Sequence, residues 1–168
     1  MLGGHGYIKD WGLEQIVRDA RIGQIYEGTN GVQANDLVSR KIVRDGGVTM
    51  REFIAEMRSA NLSSDYEQKF SEQCDLLLDL TDHIVNQAKQ DPEFPGSVSV
   101  DYLDLVGHVV CAWCWALMAS NATDDDFGRA KTITAQFFYE RLLPRSLGIA
   151  ENIRATNNVA MQMPAELF

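Results

Sequence analysis

The sequence predicts an all-α protein, a bundle of helices joined by short connections. Little of the chain alternates between apolar and polar residues with period two, whereas apolar residues recur at intervals of three and four along most of it. Glycine pairs and one proline-rich stretch separate these periodic segments. With 168 residues, of which 45% are hydrophobic, the chain is long enough to bury a core.

The first part of the chain predicts two helices around a glycine-rich loop. Apolar residues at helical spacing place a helix over residues 12–21, which Gly23 should end. Residues 22–31 (IGQIYEGTNG) contain three glycines and predict a loop whose backbone can approach a ligand. A second helix is expected over residues 32–45, with cations near its C-terminus and a stop at the glycine pair 46–47.

Two capping-box patterns predict the next two helices. Thr49 with Glu52 should open a helix of about 12 residues, and Ser64 with Glu67 should open one of about 26 residues. The longer helix is amphipathic and should end before the proline-rich connection DPEFPGS. Its apolar face is expected to comprise Tyr66, Phe70, Cys74, Leu77, Leu78, Thr81, Ile84, Val85 and Ala88, with Asp75, Asp79 and Asp82 facing away.

The C-terminal part predicts three more helices. Residues 98–120 are apolar nearly all round, which is typical of the central helix of a bundle. A further helix should begin near Thr123, which can cap the acidic run after it, and should run to residue 143 before Pro144. A last short helix is expected over residues 147–155. The predicted core residues of the central helix are Val106, Val110, Trp113, Cys114 and Leu117.

Charge and composition exclude several classes of function. The 15 Lys+Arg and 24 Asp+Glu give a net charge of −9, which disfavours nucleic acid and anionic membranes as partners. The most apolar stretch, Val109 to Ala119, is about half of the roughly 20 residues that cross a bilayer, so no membrane span is predicted. Three cysteines, an odd number, and a start without a signal-peptide pattern favour a reducing, cytoplasmic location.

Two groups of metal-ligating residue types are present, and neither predicts a metal site. His108, Cys111 and Cys114 are spaced for a soft metal, and CAWC matches a redox C-x-x-C. Three ligands drift around a helix, however, no fourth lies nearby, and redox pairs lie at helix N-termini. We therefore expect buried cysteines and a hydrogen-bonded core histidine. The acidic run 124–126 lacks a following loop of ligands and is interpreted as a solvated helix start.

The first fifth of the chain carries a specific resemblance. GGHGY alone lacks the G-x-G-x-x-G spacing and the preceding strand of a dinucleotide loop. Residues 2–33 as a whole, however, resemble the segment that ends the catalytic domain of acyl-CoA dehydrogenases, because GG-x-GY, RDA-R/K-I and I-YEGT occur in order and at family spacing. The remainder resembles, more diffusely, the helical extension of the longer bacterial members, through DYLDLVGHVV, AQFFYERLLP and PAELF.

This resemblance implies a C-terminal piece in two parts. Residues 1–47 would end the catalytic domain, and residues 48–168 would form a family-specific helical extension. The N-terminal helical domain and the middle β-domain of the family, which hold most flavin and CoA contacts, are not in the sequence. We therefore expect the chain alone to neither retain FAD nor oxidise an acyl-CoA.

The resemblance also implies a reaction and its residues. Glu27 of the YEGT motif would be the catalytic base that removes the α-proton of an acyl-CoA thioester, while FAD accepts hydride from the β-carbon. Tyr26 and Gly28 would line the substrate pocket, and Arg18 and Asp19 would be scaffold. The implied cofactor-binding residues are Gly3, Gly4, Thr29, Asn30 and Gly31. The implied partners are the acyl-CoA substrate, an electron-transfer flavoprotein as electron acceptor and further copies of the enzyme in a homo-oligomer.

Two other functions stay open at this point. The chain can be a catalytically inactive helical module for oligomerisation or docking, which exposed apolar surface would support. A DNA-binding role, as in some relatives of these dehydrogenases, requires a basic face in the C-terminal helices, and the net charge of −9 argues against it.

Overall fold

The computed structural model describes residues 2–26, 28–155 and 162–167. These residues form helices, turns and connections without a β-strand, which confirms the all-α class. They divide into two compact units, Met1–Gln33 and Ala34–Phe168. In chain order the α-helices are α1 (Leu13–Ala20), α2 (Ile22–Ile25), α3 (Thr29–Asn35), α4 (Val48–Arg58), α5 (Ser64–Gln87), α6 (Phe94–Ser120), α7 (Asp126–Phe137) and α8 (Arg145–Arg154).

The first unit begins with two short 3-10 turns, Gly3–Tyr7 and Lys9–Trp11, and continues into α1. The predicted helix stop at Gly23 is wrong, because α2 follows α1 after one residue and contains this glycine. Gly23 does not adopt the left-handed conformation by which a glycine ends a helix. The predicted loop is correspondingly shorter, because α3 already begins at Thr29.

Helix α3 continues as a π-helix, Asp36–Val43, and ends at the predicted glycine pair. Gly46 and Gly47 have positive φ angles of 69° and 78°, and the Gly47 amide donates to the Ile42 carbonyl at 2.8 Å. A Cβ atom on Gly47 would lie 2.9 Å from Cγ2 of Thr81, so this turn has no room for a side chain. The glycine stop predicted from the sequence is confirmed.

The capping box predicted at Thr49 is wrong, although a helix does begin there. Helix α4 starts at Val48, and Thr49 lies inside its first turn. The carboxylate of Asp45 instead accepts the amide hydrogens of Gly47 at 2.8 Å and Thr49 at 3.0 Å. Hydrogen bonds from Thr49 and these amides hold the pKa of Asp45 below its usual value.

Helix α5 is the long amphipathic helix that the sequence predicts. It spans 24 residues and begins at Ser64. The N-cap residue is Ser63, which makes no side-chain cap hydrogen bond. The capping box predicted at Ser64 is therefore wrong. Its carboxylates form ion pairs with arginines of other helices: Asp79 with Arg154 of α8 at 3.0 Å, and Asp75 and Asp82 with Arg58 and Arg51 of α4. Its buried residues are Tyr66, Phe70, Cys74, Leu77, Leu80, Thr81 and Ile84.

Helix α6 is the central helix, and it is longer than the sequence predicts. It begins at Phe94, because Pro95 is tolerated in a first turn, where its missing amide hydrogen has no intrahelical partner. With 27 residues, α6 is long and apolar enough to cross a membrane by length and composition alone. The stretch from Val109 to Ala119, which the sequence analysis considered, is too short for this. In the second unit it packs against α5, α7, α8 and the π-helix Asp36–Val43.

The face of α6 predicted to lie in the core is displaced around the helix. Val106, Val110, Trp113 and Leu117 are only partly buried, and Cys114 is exposed. Because α6 is apolar nearly all round, it has no polar side that could indicate which face turns inward. Its fully buried hydrophobic stripe is Tyr102, Leu105, Val109, Ala112 and Ala116.

Helices α7 and α8 complete the second unit. The cap of α7 is Asp125 rather than the predicted Thr123, since the Asp125 carboxylate accepts the Gly128 amide hydrogen at 2.7 Å. The helix continues as a π-helix, Phe138–Leu142, and the predicted interruption at Pro144 is confirmed. Helix α8 begins directly after this proline, two residues earlier than predicted.

Candidate active-site segment

The YEGT motif begins at Tyr26, directly after α2, and its last residue, Thr29, is the first residue of α3. Tyr26 follows α2, and its amide donates to the Ile22 carbonyl at 3.1 Å. Its side chain is 62% exposed. Glu27, the implied catalytic base, lies outside the described residues. Gly28 has a φ of 133°, a backbone conformation that residues with side chains rarely adopt, so this position requires glycine.

The residues implied to lie beside a flavin form the first turn of α3. Thr29 and Asn30 are exposed, and Gly31 is half-buried. The carbonyl of Gly28 accepts the Val32 amide hydrogen at 3.3 Å, which starts the helical hydrogen bonding. No atom lies within 4 Å of the position that a Cβ would take on Gly28 or Gly31. This side of the backbone is open to a ligand.

Gly3 and Gly4 lie in the 3-10 turn Gly3–Tyr7 at the start of the chain. Gly3 has a φ of 52°, and a Cβ on either glycine would meet no atom within 4 Å. Both therefore present accessible backbone without a side chain. A flavin dinucleotide needs hydrogen-bond donors for its oxygen atoms. The accessible backbone of Gly3 and Gly4 can supply such donors, and so can the short polar side chains of Thr29 and Asn30 at the start of α3. These residues therefore fit FAD.

Arg18 and Asp19 of the RDAR motif make hydrogen bonds within α1. The guanidinium Nε of Arg18 lies 2.8 Å from the carboxylate of Glu14 one turn earlier. The Gln15 side-chain amide donates to Asp19 at 2.8 Å. These contacts stabilise the helix itself, and the scaffold role expected for both residues stays a prediction.

The first unit also contains a cavity that the sequence did not indicate. It has a volume of about 420 Å³ and lies between the turn Gly3–Tyr7 and α1. It contains none of the implied catalytic or cofactor-binding residues. Half of its lining belongs to motifs quoted above, Gly6 and Tyr7 to GG-x-GY and Arg18 to RDAR, although neither motif indicated a cavity; the other lining residues are Lys9, Glu14 and Val17.

Apolar side chains of the first unit are widely exposed. Helix α1 has its apolar residues on one side, yet Ile16 and Val17 on that side are 62% and 68% exposed. Such a stripe on an amphipathic helix is a surface that normally packs against other helices. The other large exposed apolar residues on and beyond α2 in this unit are Ile22, Ile25 and Val32.

The thiols of α6 differ from the sequence-based expectation. Cys111 and Cys114 are exposed, so the prediction that they are buried is wrong; Cys74 of α5 is the buried cysteine. The expected hydrogen bond of His108 is present, because its Nδ1 lies 2.9 Å from the Asp104 carbonyl oxygen. Among residues 2–26, 28–155 and 162–167, no three His, Cys, Asp or Glu side chains come together as a metal site.

Comparison with known proteins assigns the chain to a family. A family model described as acetyl-CoA dehydrogenase C-terminal like matches residues 48–164, and the acyl-CoA dehydrogenase C-terminal domain matches residues 1–42. Because the first match covers more than half of the sequence, the chain belongs to the acyl-CoA dehydrogenase family. The resemblance recognised in the YEGT segment and in the helical extension is confirmed.

Individual relatives match nearly the whole chain. It is 36% identical to 3-methylmercaptopropionyl-CoA dehydrogenase of Ruegeria pomeroyi over 98% of its length, which is 30% of that protein. It is 30% identical to broad-specificity linear acyl-CoA dehydrogenase FadE5 of Mycobacterium tuberculosis over 99% of its length, or 31% of that protein. An acyl-CoA dehydrogenase of Bacillus subtilis is 58% identical over 31 residues, 18% of this chain and 8% of that protein. The chain thus spans about 30% of the length of the first two relatives.

Proposed function

We propose that this chain forms part of an FAD-dependent acyl-CoA dehydrogenase, in which Glu27 is the catalytic base. The observation that carries the proposal is the YEGT motif within residues 1–42, the region that matches the acyl-CoA dehydrogenase C-terminal domain. The reaction removes two hydrogens from an acyl-CoA thioester and leaves a 2,3-double bond. When bound, FAD supplies the acceptor for the hydride that leaves the β-carbon.

The chain's own contribution is the removal of the α-proton. Glu27 accepts this proton on its carboxylate, so the electron pair of the α-carbon–hydrogen bond becomes part of the new double bond. A carboxylate in an apolar pocket from which water is excluded is a stronger base than one in water. Tyr26 and Gly28 adjoin Glu27 in sequence and would line this pocket. Their part is to exclude water and to leave room for the acyl chain.

The residues around the motif support cofactor binding in the same enzyme. Thr29, Asn30 and Gly31 offer backbone amides and short side chains at the start of α3, and the backbone is open at Gly31. Gly3 and Gly4 offer accessible backbone for the adenosine end of FAD. Because these residues form only part of a cofactor site, we expect the 168-residue chain alone to bind no FAD. A flavin absorption band in the purified chain would contradict this.

The test of the base is Glu27→Gln in a full-length enzyme that contains this sequence. The substitution conserves shape and removes the proton acceptor, so the rate of dehydrogenation should fall on the order of 10² to 10⁴ or more. Flavin content should stay unchanged. The measurement is anaerobic bleaching of the flavin by a series of acyl-CoA thioesters. Glu52→Gln on the exposed side of α4 is the matched control and should bleach like the unaltered enzyme. Near-normal bleaching by Glu27→Gln would assign the base to another residue.

The proposal extends to the partners of such an enzyme. The electrons would pass from the reduced flavin to an electron-transfer flavoprotein, and the enzyme would be a cytoplasmic homo-oligomer. The expectation of a reducing compartment rests on the odd number of cysteines in the sequence. Reoxidation of the substrate-reduced enzyme by a purified electron-transfer flavoprotein tests the acceptor. No faster reoxidation than with buffer alone would exclude it.

A helical docking module without activity is the second candidate, and the exposed apolar stripe of α1 favours it. The same stripe would be covered in a full-length dehydrogenase by the remainder of the catalytic domain. Flavin content separates the two. A full-length protein that carries FAD and is bleached by acyl-CoA is an enzyme, whereas one that lacks both properties acts through its surface alone.

A further inference from the structure

Asn30 is the only asparagine in the sequence that is followed by a glycine. It lies in the first turn of α3, where it is exposed. Asparagine is one of the chemically labile residues, because the backbone nitrogen of the next residue can attack its side-chain carbonyl. We propose that Asn30 is a site of spontaneous deamidation and that this modification weakens FAD binding. The second half of the proposal rests on the proposed function.

The reaction needs only water and the chain itself. The backbone nitrogen of Gly31 gives up its proton and bonds to the side-chain carbonyl carbon of Asn30, whose amide nitrogen leaves as ammonia with that proton. The product is a cyclic succinimide. Water then opens the ring at one of its two carbonyl carbons and leaves either aspartate or isoaspartate, in which the backbone is one carbon atom longer. The chain thus takes up one water and releases one ammonia without a change of oxidation state.

The structure leaves room for this attack at Gly31. Apart from its neighbours along the helix, no described residue has an atom within 4 Å of the position that a Cβ would take on Gly31. Glycine has no side chain to obstruct ring closure, and its backbone moves more freely than that of any other residue. The Gly31 nitrogen can therefore approach the Asn30 side chain without displacing another part of the chain.

The helical turn around Asn30 is held weakly. A closed helix fixes the asparagine backbone and slows ring closure, so the first turn of α3 has to open before the reaction. The hydrogen bond from the Val32 amide to the Gly28 carbonyl is 3.3 Å long, beyond the usual range of about 2.7–3.2 Å. Val32 is also 65% exposed, so little packing opposes the opening. Helix ends of this kind open at a small cost in free energy.

Asn35 provides a comparison within the same segment. It is exposed like Asn30, but Asp36 follows it, and the helix continues through both residues into the π-helix Asp36–Val43. Ala34 and Val38 are completely buried on either side, which holds this backbone in its helical conformation. Exposure alone therefore does not select the site. We expect Asn35 to stay unmodified while Asn30 reacts.

Deamidation changes the charge at the proposed flavin site. The neutral side-chain amide of Asn30 donates hydrogen bonds, whereas the carboxylate that replaces it only accepts them. FAD carries negative charge on its phosphates, so the new carboxylate repels the cofactor. Isoaspartate also lengthens the backbone before Gly31 and shifts the amide that the proposed site uses. Both products should therefore oppose FAD binding in the full-length enzyme.

The first test follows the 168-residue chain during incubation near neutral pH and physiological temperature. Trypsin releases residues 22–40 as one fragment, which contains both Asn30 and Asn35. Tandem mass spectrometry should show this fragment becoming one mass unit heavier, with the change at Asn30. Gly31→Ala, whose side chain the structure can accommodate, should react about tenfold more slowly, because alanine restricts the backbone. An unmodified Asn30, earlier modification of Asn35, or an equal rate in Gly31→Ala would each overturn the proposal.

The second test measures FAD affinity in a full-length enzyme that contains this sequence. Asn30→Asp, which carries the charge of the product, should weaken FAD binding about tenfold when the flavin-free enzyme is titrated with FAD. Asn61→Asp makes the same change at an exposed residue between α4 and α5 and should leave the affinity unaltered. Equal affinity of Asn30→Asp and the unaltered enzyme would overturn the second half of the proposal. An unaltered enzyme that binds no FAD would instead contradict the proposed function, and the second half would fall with it.

Discussion

The hydroxyl oxygen of Thr81 lies 2.7 Å from the phenol oxygen of Tyr102 inside the bundle, and both side chains are completely buried. Thr81 also donates its hydroxyl hydrogen to the Leu77 carbonyl at 2.7 Å. Because Thr81 has a single hydrogen to donate, it accepts the hydrogen of Tyr102. This chain of hydrogen bonds satisfies two buried polar groups and joins α5 to α6.

The two partners of this hydrogen bond should differ in their effect on stability. Tyr102→Phe leaves the Thr81–Leu77 bond in place and should lower the free energy of unfolding by about 1 kcal/mol. Thr81→Val leaves the buried phenol without an acceptor and should lower it by about 2 kcal/mol. Urea unfolding measures both values. The reverse order would show that Tyr102 donates elsewhere.

The buried tyrosines should make the protein sensitive to alkali. Burial raises the pKa of Tyr102, and it also raises that of Tyr139. The pKa of tyrosine in an unfolded chain is about 10. Above this pH the unfolded chain loses protons while the folded chain keeps them, so stability should fall as the pH rises, by up to about 1.4 kcal/mol per pH unit for each tyrosine.

Variants of single tyrosines test this pH dependence in unfolding measurements between neutral pH and pH values above 10. The free energy of unfolding of the Tyr102→Phe variant should fall less steeply with pH than that of the unaltered chain. Tyr7→Phe removes a tyrosine that is 86% exposed and should leave the slope unchanged. Equal slopes for all three proteins would mean that Tyr102 ionises as readily in the folded state as in the unfolded chain.

Periodicity was sufficient to predict most helices, but it did not determine where they begin. The apolar spacing of α5 identified buried residues such as Phe70 and Cys74, because that helix has a polar side. The cap predicted for α4 was wrong because Thr49 and Asp45 have similar capping chemistry. Only the folded turn brings the Asp45 carboxylate to the amides of Gly47 and Thr49. Pro95 suggested a connection, although proline also suits the first turn of a helix.

The prediction of the candidate site depended on resemblance to a family rather than on periodicity. Roughly fifteen residues of the segment 2–33 match a family pattern, and this match indicated the reaction class without any geometry. No physical pattern in the sequence distinguishes Glu27 from an ordinary surface glutamate. The prediction that Cys111 and Cys114 are buried was wrong for a related reason. Because α6 is apolar on every side, only the helices that pack against it decide which face is covered.

Adjacent valines of α6 test which face is in the core. Val109 is fully buried and Val110 only partly, so Val109→Asp places an unpaired carboxylate among apolar side chains, whereas Val110→Asp can reach water. We expect Val109→Asp to abolish cooperative thermal unfolding and Val110→Asp to retain it at a lower temperature. Circular dichroism during heating distinguishes them. A cooperative transition in Val109→Asp alone would place the core on the other face.

Two helical glycines should respond in opposite ways to the same substitution. A Cβ on Gly128 would lie 2.0 Å from the backbone oxygen of Thr123, whereas a Cβ on Gly107 would meet no atom within 4 Å. Gly128→Ala should therefore destabilise the chain by about 2–3 kcal/mol through overpacking. Gly107→Ala should stabilise α6 by about 0.5–1 kcal/mol, because alanine has the higher helix propensity. Urea unfolding of both variants measures the difference. If Gly128→Ala were as stable as Gly107→Ala, the connection before α7 would have to move away from the helix.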